Sequence, residues 1–161
     1  MPSDYWANKE IAWASEKGLM NGVGGGKFNP GAEITFQQAW MVVARMGGAN
    51  PANMKEARKW VEDRKLTAGE SPDRPLTRQG LVDILQRFAD SKGYSMSSGT
   101  LEGYSDIPEE GYKKGPASWA VYHGILTGTS DGRLNLEGTV TRTQFAVFLY
   151  RFELYVQKNT D

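Results

Sequence analysis

Two dipeptides, Thr77-Arg78 and Thr141-Arg142, stand out for the chemistry they suggest. Each Thr precedes a run with helical periodicity, so the Arg falls in the first turn. A helix start offers unpaired N–H groups and a partial positive charge, which attract anions. A guanidinium beside it adds a two-pronged site for a carboxylate or phosphate. The competing role is a surface Arg paired with a nearby Glu or with the preceding copy of the motif. After Thr35 the matching place is taken by Phe36, so no such anion site is expected there. Trp13, Trp60 and Trp119 occupy a second recurring slot. An indole at that slot is either a platform for a sugar ring or an aromatic wedge in a small core. Gly18 and Gly124 close the preceding helices. Glycine there either lets a ligand approach the backbone or simply stops the helix.

Other groupings fall short of a site. Gly24-Gly25-Gly26 lacks the preceding strand and the Gly-Lys-Ser/Thr spacing of a phosphate loop. Ser130-Asp131-Gly132 with Asn135 and Glu137 does not keep an EF-hand register, and a turn accounts for it. His123, the single histidine, sits at a helix end beside Gly124 rather than in a Ser-His-Asp arrangement. Glu62-Asp63 and Glu109-Glu110 are adjacent in sequence and read as solvated pairs rather than a glycosidase couple. The expectation is therefore no enzyme, no metal and no cofactor.

Composition narrows the class further. Lys+Arg and Asp+Glu are both 19, so the basic excess typical of nucleic-acid binders is missing. With no cysteine, disulfide frameworks, Cys-ligated zinc and thiol nucleophiles are excluded. An apolar fraction of 39% supports a packed core rather than global disorder. No apolar run reaches the length of a membrane span, and no signal peptide is evident. Composition alone leaves localisation open.

The elements that position the motifs emerge from internal repetition. A shift of 106 residues lays the N-terminal third on the C-terminal third without a gap. Trp13-Ala14 then meets Trp119-Ala120, Gly18 meets Gly124, Thr35 meets Thr141, and Arg45 meets Arg151. The middle third is a worn third copy, with Trp60 matching Trp13 and Arg87 matching Arg45. The copies run from 1 to 48, 51 to 93 and 103 to 156, joined by Gly-Gly-Ala-Asn-Pro and by a longer Ser/Gly-rich connector. Each reads as helix–loop–helix. Thr35 with Gln38 and Thr141 with Gln144 fit a capping box, whereas Gly80 weakens the cap at Thr77. The second helices carry apolar stripes: Ala39, Val42, Val43 and Met46; Leu81, Ile84, Leu85 and Phe88; Phe145, Phe148, Leu149 and Phe152. A helix pair of this size cannot bury its stripe alone, so an all-α fold is expected, with three copies sharing one cooperative core.

Together these residues resemble S-layer homology (SLH) repeats. Asp4-Tyr5-Trp6-Ala7, Trp13-Ala14, Gly18 to Gly22, Phe28-Asn29-Pro30 and Ile34-Thr35 are similar to one repeat. Tyr104 to Pro108, Trp119-Ala120, Gly124 to Gly128 and Val140 to Phe145 are similar to another, and Thr77-Arg78-Gln79 marks the worn copy. The resemblance implies a pseudo-threefold, three-pronged helical bundle. It implies a non-catalytic module that anchors surface proteins to secondary cell-wall polysaccharide of Gram-positive-type bacteria, often polymers with pyruvylated sugars. It places the ligand in grooves between neighbouring repeats. It assigns acid recognition to Arg78 and Arg142 after Thr77 and Thr141, groove lining to Gly18 and Gly124, and a role to Asp106 in the Ser-Asp-Ile start. Departures are Phe36 for Arg, and Gln38, Gln144 and Gly80 for the usual Glu. At most two grooves keep the motif.

The resulting expectation is an extracellular cell-wall binding module. Trp13 and Trp119 contribute ring edges, and Thr77, Arg78, Thr141, Arg142, Gly18, Gly124 and Asp106 line the grooves. It is expected to be a monomeric pseudo-trimer cut from a larger surface protein, with no nucleic-acid partner and no membrane insertion. The alternative is a protein-interaction or S-layer lattice scaffold that has lost the glycan. A wall-active glycosidase is a third reading.

Overall fold

Thr35, Thr77 and Thr141 each start a helix. In the computed structural model, which describes residues 7–20 and 31–160, these helices are α2 (Phe36–Met46), α4 (Arg78–Ser91) and α6 (Arg142–Thr160). At α2, Thr35 Oγ1 accepts from Gln38 N while Gln38 Oε1 accepts from Thr35 N. The same reciprocal pair joins Thr141 and Gln144. Thr77 Oγ1 accepts from Gly80 N, and Gly80 has no side chain to return the bond.

The shorter helices α1 (Asn8–Glu16), α3 (Met54–Asp63) and α5 (Gly111–Tyr122) end by one device. The chain turns left-handed one residue past the cap, and the next N–H reaches back to the last turn. Leu19 N bonds Ala14 O, Leu66 N bonds Val61 O, and Ile125 N bonds Ala120 O. Gly18 and Gly124 hold that left-handed position at φ +69° and +73°. In the middle third Lys65 holds it at φ 58°, a conformation that a side chain disfavours.

All regular structure among the described residues is helical, as the periodicity predicts, apart from three isolated backbone bridges. None of these helices is long and apolar enough to cross a membrane. Asp4, Tyr5, Trp6, Asn21, Gly22, Gly24 to Gly26 and Phe28 to Pro30 lie outside the described residues.

The chain divides into two compact units, Met1–Leu76 with Val140–Tyr150, and Thr77–Thr139 with Arg151–Asp161. Helix α6 therefore gives residues 142–150 to the first unit and 151–160 to the second. In the first unit α2 packs on α3, and Trp60 lies so close to Gly47 that a Cβ there would overlap its ring. Ala39, Trp40, Val43, Phe145 and Phe148 fill its core. In the second unit α4 packs on α5. Leu81, Ile84, Leu85, Trp119, Leu126 and Phe152 are buried there, with the Phe88 and Phe152 rings edge to face at 5.9 Å. The apolar stripes of the second helices are thus the core, with Met46 only half-buried.

Within the first unit, the segments leading into α2, α4 and α6 close a ring of three backbone hydrogen bonds. Ile34 N donates to Val140 O, Val140 N to Leu76 O, and Leu76 N to Ile34 O. Two residues on, Phe36 N donates to Arg74 O and Arg142 N to Ala32 O. In the second unit Arg78 N repeats that pattern by donating to Gly138 O. Ile34, Leu76 and Val140 are buried, so each needs its peptide groups satisfied by another backbone. The ring fixes where α2 and α6 start, and hence where residues 36 and 142 stand.

Candidate functional site

Arg142 begins α6 and lines a cavity of about 220 Å³ in the first unit. Arg45 and Gln38 on α2 line it too. Its apolar wall includes Leu19, Met20, Met41, Met54 and Phe145. No carboxylate is among the described residues around it. Arg45 reaches in from the last turn of α2, and its Nη1 donates to Leu19 O at 3.1 Å. Burial lowers the Arg142 pKa from its ordinary value. The cation remains charged at neutral pH and is partly stripped of water. An anion entering the cavity would restore that lost solvation. Thr141 Oγ1 holds the start of the helix by accepting from Gln144 N at 3.2 Å.

Arg78 has the same sequence context and a different position. In the second unit its Nε donates to Leu134 O at 3.0 Å and its Nη2 to Thr127 O at 2.9 Å. Asp106 clamps the other side of the same peptide run, accepting from Leu134 N at 2.7 Å and Asn135 N at 2.9 Å. Leu134 is thus gripped at both its N–H and its C=O by the two charged residues that the resemblance assigns to the groove. Burial lowers the Arg78 pKa, helped by the Arg151 charge and opposed by Asp106. For Asp106, burial alone would raise the pKa. The backbone N–H bonds from Leu134 and Asn135, with Arg133 nearby, outweigh it and leave the carboxyl below 3.8. Beside Asp106 a cavity of about 290 Å³ mixes Glu110 and Glu137 with Lys113 and Arg133. Lys113 pairs with Glu137 at 3.1 Å, so that cavity has no single sign of charge to select a ligand.

Phe36, in the slot of these Arg residues, is buried with its ring 6.4 Å from Trp40. That start of helix contributes to the core and has no charge to offer. Trp119 has no exposed surface, and its indole N–H donates to Ser95 O at 3.1 Å. A ring with both faces covered cannot stack a sugar, so Trp119 leaves the set of candidate contacts and acts as the aromatic wedge. Trp13 is half-buried, edge to face with Tyr150 at 5.5 Å, and Lys9 sits over that Tyr ring. Gly18 is exposed beside Leu19 of the Arg142 cavity. Gly124 borders a different cavity in the second unit. Thr77 caps α4.

The motif search missed Arg45 as a partner of Arg142. The signal was available, since Arg45 and Arg151 coincide under the 106-residue shift. Arg151 plays a related part, donating from Nη1 to Thr127 Oγ1 at 3.3 Å.

The family model for the S-layer homology domain matches residues 2–39 and 103–146, together more than half of the chain. Residues 40–102 lie outside both matches. No curated protein matches the chain. Domains of this family are non-catalytic modules of cell-surface and S-layer proteins, and they anchor those proteins by binding secondary cell-wall polymers. With two matched segments, an all-helical fold and Thr-capped helices carrying the motif residues, the chain belongs to the S-layer homology domain family.

Proposed function

We propose that this chain is an extracellular cell-wall anchoring module that holds an acidic polysaccharide through the Arg142 cavity. The observation that carries this reading is the lining: two guanidiniums, an amide and a run of Met, Leu and Phe side chains, with no carboxylate among the described residues. That combination suits a substituent that is both anionic and partly apolar. A pyruvate ketal has this character, with its carboxylate for Arg142 and its methyl group for the Met and Phe wall. Arg78 and Asp106 serve the same function indirectly, by shaping the 127–135 loop. Each contact on a polymer is weak, and repeated engagement supplies avidity.

The three segments 1–48, 51–93 and 103–156 act as one monomeric, cooperative module within a larger surface protein. The closed ring of backbone bonds, which takes one residue from each segment, supports the cooperativity. A single thermal transition, with the mass of one chain in light scattering, is the expected result.

The direct test of binding is co-sedimentation with purified wall polymer before and after chemical removal of its acidic groups. Retention on the intact polymer and loss on the stripped one is expected. Equal retention on both would overturn the reading.

A further inference from the structure

Three side chains in the wall of the Arg142 cavity are thioethers: Met20, Met41 and Met54. Met20 and Met41 are closed off, at 4% and 7% exposure, whereas Met54 is 36% exposed. We propose that Met54 is an oxidation site in this wall, and that its sulfoxide engages the cavity's guanidiniums and so competes with an anionic ligand. The ligand class rests on the function proposed above. The oxidation chemistry stands on the side chains alone.

Met54 is the first residue of α3, and its backbone is fixed there. Asn53 Oδ1 accepts from Glu56 N at 2.9 Å, and Glu56 Oε2 accepts in return from Ala52 N. The helix start is thus capped from both directions, with Met54 one residue past the cap. Hydrogen peroxide at the exposed thioether gives the sulfoxide. A sulfur lone pair attacks one peroxide oxygen, the S–O bond forms and the O–O bond breaks. The departing hydroxide takes the proton of the transferred oxygen and leaves as water. Sulfur is oxidised and the peroxide is reduced, with no further reagent.

The neighbours give this change its effect. A thioether sulfur is a weak acceptor, and the sulfoxide is polar with an oxygen that accepts hydrogen bonds. The wall also carries the guanidiniums of Arg45 and Arg142, so the new oxygen is placed among strong donors. Tethered beside them, it competes with an incoming carboxylate at high local concentration. The apolar surface that Met54 offered to a methyl-bearing substituent is lost as well.

Met96 provides an internal comparison. It too is 36% exposed, but it lies in the second unit and does not line the Arg142 cavity. It sits on a strap held at Ser95, whose O accepts from Tyr155 Oη at 2.7 Å and from the Trp119 indole at 3.1 Å. Peroxide should oxidise both exposed residues, and only the Met54 product should alter the cavity.

The test treats the chain with hydrogen peroxide and follows each methionine by peptide mass spectrometry. Met54 and Met96 are expected to oxidise at least about tenfold faster than Met20 and Met41. Oxidised wild type and oxidised Met96→Leu are expected to bind purified acidic wall polymer at least about threefold more weakly, with recovery after methionine sulfoxide reductase treatment. Met54→Leu should keep its affinity through oxidation. The guanidinium NMR signals of Arg45 and Arg142 read the new contact without polymer, and they should shift on oxidation of wild type but not of Met54→Leu. If the unoxidised chain holds no polymer, the function proposed above falls, and the guanidinium signals still decide whether the sulfoxide engages the cavity. Slow oxidation of Met54, unmoved guanidinium signals, or an equal loss of affinity in oxidised Met54→Leu would overturn the proposal.

Discussion

Arg142 and Arg78 begin two helices with the same Thr-Arg signature, yet their surroundings diverge. In the first unit Arg142 borders a cavity with an apolar wall and a second guanidinium. In the second unit Arg78 grips the carbonyls of Thr127 and Leu134. The lesson is that a motif fixes where a side chain starts, while the neighbouring loop decides what it meets. A helix-start Arg within reach of buried-edge carbonyls becomes a staple. The same residue in the first unit lines a cavity walled by Met and Leu side chains.

The aromatic slot gives the largest test of this contrast. Trp119→Ala removes a fully buried ring and the Ser95 bond, and about 3–5 kcal/mol of stability should go with it. Trp13→Ala, at a half-buried ring, should cost about 1–2 kcal/mol. Denaturant melts of both variants check the difference, and equal losses would erase it. Next in size, Arg78→Ala removes two charge-assisted bonds to backbone and should cost about 2–3 kcal/mol.

A smaller effect runs in the opposite direction. Lys65→Gly relieves the left-handed strain at the end of α3 and should stabilise the chain by about 1 kcal/mol. Gly18→Ala should destabilise by a similar amount, because it places a side chain at φ +69°. The weakest effects are those of pH. The His123 pKa is lowered from 6.5, so below that pH the unfolded chain takes up a proton before the folded one does. Stability should fall slightly as pH drops from 6.5, and His123→Gln should flatten that slope. The Asp106 carboxyl lies below its ordinary 3.8, so its contribution is present above that pH and is lost as pH falls further. Thermal melts across pH 3 to 8 separate the two windows.

The features visible in the amino-acid string are those set by local rules. The Thr35 and Thr141 caps, the left-handed stops at Gly18 and Gly124, and the buried stripe from Leu81 to Phe88 each follow from spacing of a few residues. The fates of Arg78 and Asp106 were not visible, because Leu134 lies 56 residues from one and 28 from the other. Periodicity carries no information on which loop meets which helix start. The strap at Ser95 and Ser97 was hidden for the same reason: it looked like a Ser/Gly connector, and the Trp119, His123 and Tyr155 bonds that hold it arise only in three dimensions. Lys65 was hidden differently, since a left-handed lysine breaks the very preference that makes glycine readable.

The central claim is most directly tested by isothermal titration of purified acidic wall polymer into the wild-type chain and Arg142→Ala, each checked for an unchanged melt. Loss of one charge-assisted contact should weaken binding by about tenfold or more. Unchanged affinity in a folded Arg142→Ala protein would contradict the account.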